Sequence, residues 1–158
     1  MQVAAEKNGW TRFSAMQNHY NLLYREDERE LIPLCDEQGV SRTPYSPLAA
    51  GRLARANWQS DTLRSQTDRV AVSKYDATRD TDEVIVRRVE ELAQKHQASM
   101  TQIALAWQFK KGVTAHIIGA TKEKYLDDAA GAFNVRLTEA DVAYLEEPYV
   151  PHKVMGAL

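Results

Sequence analysis

Three short stretches of the chain carry residue types that could do chemistry together. Gln17-Asn18-His19-Tyr20-Asn21 holds an amide and an imidazole. Tyr45-Ser46-Pro47-Leu48-Ala49-Ala50-Gly51 holds a flat aromatic face, a hydroxyl, and backbone amides set by Pro47, which fixes φ, and Gly51, which admits positive φ. Gly119-Ala120-Thr121-Lys122 holds a glycine turn, a hydroxyl and a positive charge where a helix is expected to open, a favourable place for a phosphate. An amide, a stacking ring and a phosphate cradle are what a dinucleotide needs. Spacing alone does not single that ligand out.

Other chemically interesting residues read as structural. Cys35 lies in the apolar helical run Glu30-Leu31-Ile32-Pro33-Leu34-Cys35 and is expected to be a small buried hydrophobe rather than a reactive thiol. His96, His116 and His152 stand far apart, without the carboxylate or cysteine spacing of a metal site. Trp10, Trp58 and Trp107 are expected as core or loop anchors, with Trp58 the best candidate for a stacking platform. His19, Tyr20 and Tyr24 read as loop or pocket-lining residues, and Glu26-Asp27-Glu28-Arg29-Glu30 as a charged outer helix face. The arginines after Gly51 read as solvated, Arg52 and Arg55 being those near enough to reach a phosphate.

The elements that must position these groups alternate. A helix should end at Asn8-Gly9, and Phe13–Gln17 should form a short buried strand. A helix is expected over Arg25–Gln38, with Pro33 awkward inside it, then a strand over Val40–Tyr45. Residues 49–79 show no lasting periodicity and read as a long functional loop. Asp80, with Glu83 completing a capping box, should open a helix to His96; Ser99 and Gln102 should open a second, closed by Gly112. A third strand is expected over Ala115–Ile118, then a helix carrying Tyr125, Leu126, Ala129 and Phe133, and a last helix capped by Thr138. Strands separated by helices imply an α/β fold with parallel pairing, and such folds gather their chemistry beyond the carboxyl ends of the strands.

The 158 residues suit one domain, and 20 Lys+Arg against 22 Asp+Glu leave a net charge of −2. With 44% hydrophobic and 27% charged residues the chain has a soluble, globular balance. That balance gives no basic footprint for nucleic acid and no cationic face for a membrane, so small-molecule chemistry is expected. Met1-Gln2-Val3-Ala4-Ala5-Glu6-Lys7 has no apolar signal region, and no stretch approaches the roughly 18 apolar residues of a membrane span. A lone cysteine cannot form an internal disulfide, so a reducing, cytoplasmic setting is expected.

At Met16-Gln17-Asn18-His19-Tyr20-Asn21-Leu22, Pro44-Tyr45-Ser46-Pro47-Leu48-Ala49-Ala50-Gly51 and Ile117-Ile118-Gly119-Ala120-Thr121 the chain resembles the sixth, seventh and eighth strand ends of an aldo-keto reductase. That is the NADPH-dependent (β/α)8-barrel family, and the tail Glu147-Pro148-Tyr149-Val150-Pro151-His152 is similar to one bacterial branch of it. The resemblance covers essentially the whole chain. It implies the C-terminal part of a (β/α)8 TIM barrel: about three parallel strands with helices, incomplete as a barrel. The chain would be a single partial domain over 1–158, with 52–79 a long cofactor- and substrate-side loop.

By position, the resemblance implies that Gln17 holds the nicotinamide carboxamide of NADP(H) and that Tyr45 stacks on the ring. Ser46, Pro47, Leu48, Ala49 and Ala50 would follow the pyrophosphate. Gly119, Thr121 and Lys122 would face the adenosine 2′-phosphate, with Tyr125 and Asp128 near the adenine. Two positions depart from the family: Tyr125 stands where Gln or Arg is usual, and Ala129, where Asn is usual, has no hydrogen-bonding group. The family reduces aldehydes and ketones by hydride transfer, using a Tyr acid helped by a Lys, an Asp and usually a His. The resemblance puts those groups in the first half of the barrel, so no catalytic residue is assigned to this chain. The alternative is a truncated, non-catalytic remnant or a cofactor-responsive binding module. Three strands of an open barrel leave two edges, with Phe13, Ala15 and Ile117 facing water, and the open-sided chain is expected either to self-associate through those edges or to be loosely packed.

Overall fold

Parallel strands cannot follow one another by a tight turn, and a crossover joins the first two here. In the computed structural model, which describes residues 1–57 and 74–154, β1 (Ala15–Met16) pairs in parallel with β2 (Ser41–Arg42). Ser41 N–H donates to Ser14 O at 2.9 Å, Thr43 N–H to Met16 O at 2.8 Å, and Tyr45 N–H to Asn18 O at 2.9 Å. Beyond the strands, among the described residues, the ladder continues as single parallel bridges, His19 to Tyr45 and Tyr45 to Ile117. The expected third strand over Ala115–Ile118 is therefore reduced to one bridge, with Ile117 N–H donating to Pro44 O at 3.1 Å. Pro44 has no N–H to give back, so regular pairing cannot extend through it.

The helices follow from their ends. α1 (Gln2–Asn8) stops at Gly9, whose φ of 65° is the left-handed conformation that closes helices. The single helix expected over 25–38 is two: a 3-10 turn, Glu26–Arg29, and α2 (Leu31–Gln38). Glu30 between them is non-helical, and this register places Pro33 in the first turn of α2, where a missing N–H costs nothing. α3 (Arg79–His96) opens from Thr78, correcting the Asp80–Glu83 box; Asp80 sits in its first turn, while Glu83 pairs with Arg79 at 2.6 Å. α4 (Met100–Lys110) does carry the Ser99–Gln102 box. α5 (Glu123–Ala130) runs into a 3-10 turn at Gly131–Asn134, and α6 (Glu139–Glu146) opens with a Thr138–Asp141 box.

The core lies between α3, α4 and α6. Ile85, Val86, Val89 and Leu92 of α3 meet Ile103 and Trp107 of α4 and Leu145 of α6, all buried. Each such side chain removed from water contributes about 2 kcal/mol. Trp107 also stacks on Tyr20 at 5.3 Å and donates its indole N–H to Glu146 at 2.9 Å, which anchors the first strand-end loop to the helices. Trp10, by contrast, is 66% exposed and anchors nothing in the core.

Two further expectations change. The Glu26–Glu30 run is not an outer face throughout: Glu26 is buried, accepting from the Tyr149 hydroxyl at 2.7 Å and the His152 N–H at 2.8 Å. Cys35 is buried, and that burial pushes its thiol pKa up, as a structural cysteine requires. It lines a groove of about 490 Å³ with Met1, Phe13, Leu31, Leu34 and Val40, beside the unpaired edge of β1. Phe13 and Ile117 at the two edges are exposed. The middle of the expected 52–79 loop, with Trp58, Arg64 and Arg69, lies outside the described residues; its ends are helical, Ala49–Ala54 and Asp76–Thr78 forming 3-10 turns and Arg79 opening α3.

Candidate functional site

Parallel bridging sets the three motif-bearing segments side by side at one end of the sheet. Gln17 is exposed where β1 ends, Tyr45 is half-buried on the central segment, and Gly119, Thr121 and Lys122 are exposed just after the Ile117 bridge. The geometry therefore gathers Gln17, Tyr45 and the Gly119 turn on one rim.

The loop after Tyr45 has an unusual backbone. Ser46, Ala49, Ala50 and Gly51 have φ of 56°, 49°, 55° and 89°. A left-handed conformation costs a residue with a side chain about 1–2 kcal/mol. Two turns close in succession, through Ala49 N–H to Ser46 O at 3.0 Å and Gly51 N–H to Leu48 O at 2.8 Å. Gln108, fully buried on α4, braces them by donating to Pro47 O at 2.8 Å. Left-handed turns of this kind turn amides toward a common side and make anion-binding concavities. A Cβ on Gly51 would lie 3.0 Å from the Arg55 guanidinium, so Arg55 leans over this loop. Arg52, expected in solvent, is buried instead, its guanidinium 5.1 Å from the centre of the Tyr75 ring.

Behind Tyr45 stands a buried cluster that spacing did not reveal. The His19 ring lies between Tyr24, at 4.3 Å and 14°, and Tyr45, at 5.1 Å and 15°. Its Nε2 is 2.7 Å from the Tyr75 hydroxyl, which also lies 3.1 Å from Asn21 Nδ2 and 3.3 Å from Ser46 Oγ. Burial, with help from Lys74 and His152, lowers the His19 pKa to about 4, so the ring is neutral at physiological pH. Burial likewise raises the Tyr75 phenol. Lys74 places its ammonium 5.0 Å from the Tyr45 ring centre, a cation–π contact. His19, Tyr20 and Tyr24 are thus buried scaffold rather than the lining of an open pocket.

On the far side of the rim, α5 opens at Glu123 with Lys122 as its N-cap residue, so Thr121 precedes the helix rather than opening it. Tyr125 is 47% exposed, with the Lys124 ammonium 5.3 Å from its ring. Asp128 accepts the Ser99 hydroxyl at 2.6 Å. Ala129 is buried in a small apolar cluster with Leu105 and Ala132 and presents no polar atom to a ligand.

Two histidine–carboxylate pairs also escaped the spacing argument, because 70 and 45 residues separate their members. His152 meets Asp82 at 3.1 Å, with the Thr78 hydroxyl donating to the same carboxylate at 2.7 Å. His96 and Lys95 meet Asp141 at 3.1 and 2.6 Å. Burial alone would raise Asp141, but Lys95, Thr138 and His96 together hold it well below the usual carboxylate range. Among the described residues no three His, Cys, Asp or Glu side chains are grouped to hold a metal, and no helix is long and apolar enough to cross a membrane.

A strand-end rim on an α/β scaffold with these motifs defines a class, and sequence comparison agrees with it. The aldo/keto reductase family matches residues 1–149, and the chain belongs to that family. It is 44% identical over 160 residues to a putative aryl-alcohol dehydrogenase of Schizosaccharomyces pombe, covering 100% of this chain and 44% of that protein. It is 42% identical over 155 residues to versiconal hemiacetal acetate reductase of Aspergillus parasiticus, covering 98% and 45%. Among solved structures, a thermostable aldo-keto reductase in complex with the inhibitor epalrestat matches with a TM-score of 0.65 and 25% identity, covering 92% of this chain and 43% of that one. The chain therefore spans less than half the length of the curated relatives it matches.

Proposed function

We propose that this chain forms the cofactor-binding, C-terminal half of an NADPH-dependent reductase of aldehydes and ketones. The observation that carries the reading is the common rim on which Gln17, Tyr45 and the Gly119–Lys122 turn lie side by side. Gln17, exposed and carrying both a donor and an acceptor, holds the nicotinamide carboxamide, and Tyr45 gives its ring a stacking face. Ser46, Pro47, Leu48, Ala49 and Ala50 follow the pyrophosphate with left-handed turns already formed. Gly119, Thr121 and Lys122 face the 2′-phosphate, and Tyr125 and Asp128 border the adenine. The fit is good at the nicotinamide and pyrophosphate and thinner at the adenine, where Asp128 is bonded to Ser99 and Ala129 faces inward.

When bound, NADPH supplies the hydride that reduces a carbonyl carbon. The proton for the carbonyl oxygen needs an acid tuned toward neutrality. Tyr20, Tyr75, Tyr144 and Tyr149 are all held above the ordinary phenol value, Tyr20 by burial and by the Glu28 carboxylate it donates to. No tyrosine with a resolved shift is tuned for that role, so we assign the acid to the part of the enzyme that the longer relatives carry. This also favours a second reading, a cofactor-responsive module without turnover of its own. The fungal relatives lend no support to a bacterial branch for the tail. The setting we propose is cytoplasmic, with Cys35 reduced.

The experiment is titration of the chain with NADPH and NADH, followed by tryptophan fluorescence. Saturable NADPH binding, weakened by Tyr45→Ala and matched only poorly by NADH, is the expected result. Equal affinity for the two cofactors would remove the role given to Lys122, and no binding at millimolar cofactor would refute the reading.

A further inference from the structure

Tyr45 stands at the proposed nicotinamide end of the site and Ser46 opens the proposed pyrophosphate loop beside it, yet neither sets its own geometry. Tyr45 is half-buried on a segment joined to its neighbours by single bridges, and Ser46 has a φ of 56° that its side chain disfavours. The restraint comes from His19. Its imidazole stacks on both Tyr24 and Tyr45, nearly parallel to each.

The Tyr75 hydroxyl ties His19, Asn21 and Ser46 together. Asn21 Nδ2 can only donate; it reaches Ser46 O at 2.9 Å and the Tyr75 hydroxyl oxygen at 3.1 Å, and lies 3.5 Å from His19 Nε2. The Tyr75 oxygen therefore accepts from Asn21. With a bare Nε2 on His19, the phenol donates its one proton there across 2.7 Å and accepts the Ser46 hydroxyl across 3.3 Å. Nδ1, which has no hydrogen-bond partner, then carries the imidazole proton. In this arrangement the phenol, Asn21 Nδ2, Ser46 Oγ and His19 Nε2 all have partners, and only Nδ1 is left without one. A protonated ring would point a donor at Tyr75 and turn the phenol proton away.

We propose that His19 is a positioning residue for the nicotinamide end of the cofactor, aligning the Tyr45 ring by stacking and holding the Ser46 turn through the Tyr75 phenol. His19 itself touches no cofactor. The inference rests on the reading that Tyr45 and Ser46 bind NADPH.

The test uses the full chain, the variants His19→Phe and Tyr75→Phe with their double, and two ligands, NADPH and 2′,5′-ADP. The second ligand has no nicotinamide. His19→Phe keeps a stacking ring but loses Nε2; Tyr75→Phe removes the same contact from its other end. Each is expected to weaken NADPH about five- to tenfold, the size of one hydrogen-bonded contact, and to leave 2′,5′-ADP unchanged. The double variant should be no worse than either single, because both break one linkage. Equal weakening of both ligands would reveal a merely structural role and overturn the proposal, as would unchanged NADPH affinity. Should His19→Phe fail to fold, Tyr75→Phe carries the same comparison. A wild-type chain that binds neither ligand would refute the parent reading and this one with it. The internal geometry has its own readout: nitrogen NMR at pH 7 should show the His19 Nε2 signal moving on Tyr75→Phe, and an Nε2 signal indifferent to that variant would overturn the proposal whatever the ligands do.

Discussion

Replacing Ala50 by glycine isolates the backbone conformation on which the proposed pyrophosphate loop depends. Ala50 is exposed and has a φ of 55° and a ψ of 31°, so its methyl group contributes left-handed strain and little packing. Relief of that strain should stabilise the fold by about 1–2 kcal/mol. Glycine gives back roughly 0.5–1 kcal/mol through the greater freedom of the unfolded chain. The net change for Ala50→Gly is therefore between about zero and 1.5 kcal/mol of added stability. At an ordinary exposed position with negative φ the same substitution destabilises by about 0.5–1 kcal/mol. Ala50→Val, which puts a β-branched side chain in the same conformation, should destabilise by more than about 1 kcal/mol. Urea denaturation of the three chains reads these values. NADPH affinity should move the other way, weakening severalfold in Ala50→Gly because a loop free to leave the left-handed region must be ordered on binding. An Ala50→Gly chain less stable than the parent by about 1 kcal/mol would mean that the residue is not left-handed, and the pre-formed loop would be lost from the account.

Three other outcomes follow from the geometry. Gly112→Ala should cost more stability than Gly39→Ala, by about 1 kcal/mol in denaturation midpoints: both need positive φ, but only at Gly112 would the new Cβ meet Arg42, 2.5 Å away and paired with Asp36. His116 is pressed against Phe109 at 4.3 Å, and burial lowers its pKa to about 4, as it does for His19. The unfolded chain therefore binds more protons between pH 4 and about 6.5, and stability should fall as pH drops through that window, by up to about 3 kcal/mol per histidine. Thermal melts across that range should show a shallower slope for His116→Phe than for the parent. Ser99→Ala removes both the N-cap of α4 and the hydroxyl that Asp128 accepts, and should destabilise by about 1–2 kcal/mol in the same assay.

Local chemistry made much of the scaffold legible. Ser99 and Thr138 announce their helices because a hydroxyl three residues before a Gln or Asp satisfies the first free amides, and Gly9 and Gly39 announce ends because they accept positive φ. Asp80 misled because two hydroxyls and several carboxylates crowd one turn; Thr78 opens the helix and its hydroxyl takes Asp82. The rim residues Gln17, Tyr45 and Gly119 were readable as motifs. The cluster behind them was not, since His19 and Tyr75 stand 56 residues apart and no periodicity links a strand end to a residue so far along the chain. Glu26 was misread for the same reason. Its partners Tyr149 and His152 come from the tail, and a charged run looks solvated until a distant segment covers it.

The central claim is that one rim of this chain receives NADPH, and amide chemical-shift mapping during an NADPH titration tests it most directly. The account predicts that the largest shifts fall on Gln17, Tyr45 to Gly51 and Gly119 to Lys122, with the Lys122 end responding to NADPH more than to NADH. Shifts confined to the apolar groove around Phe13 and Leu34, or spread evenly over the helices, would contradict it.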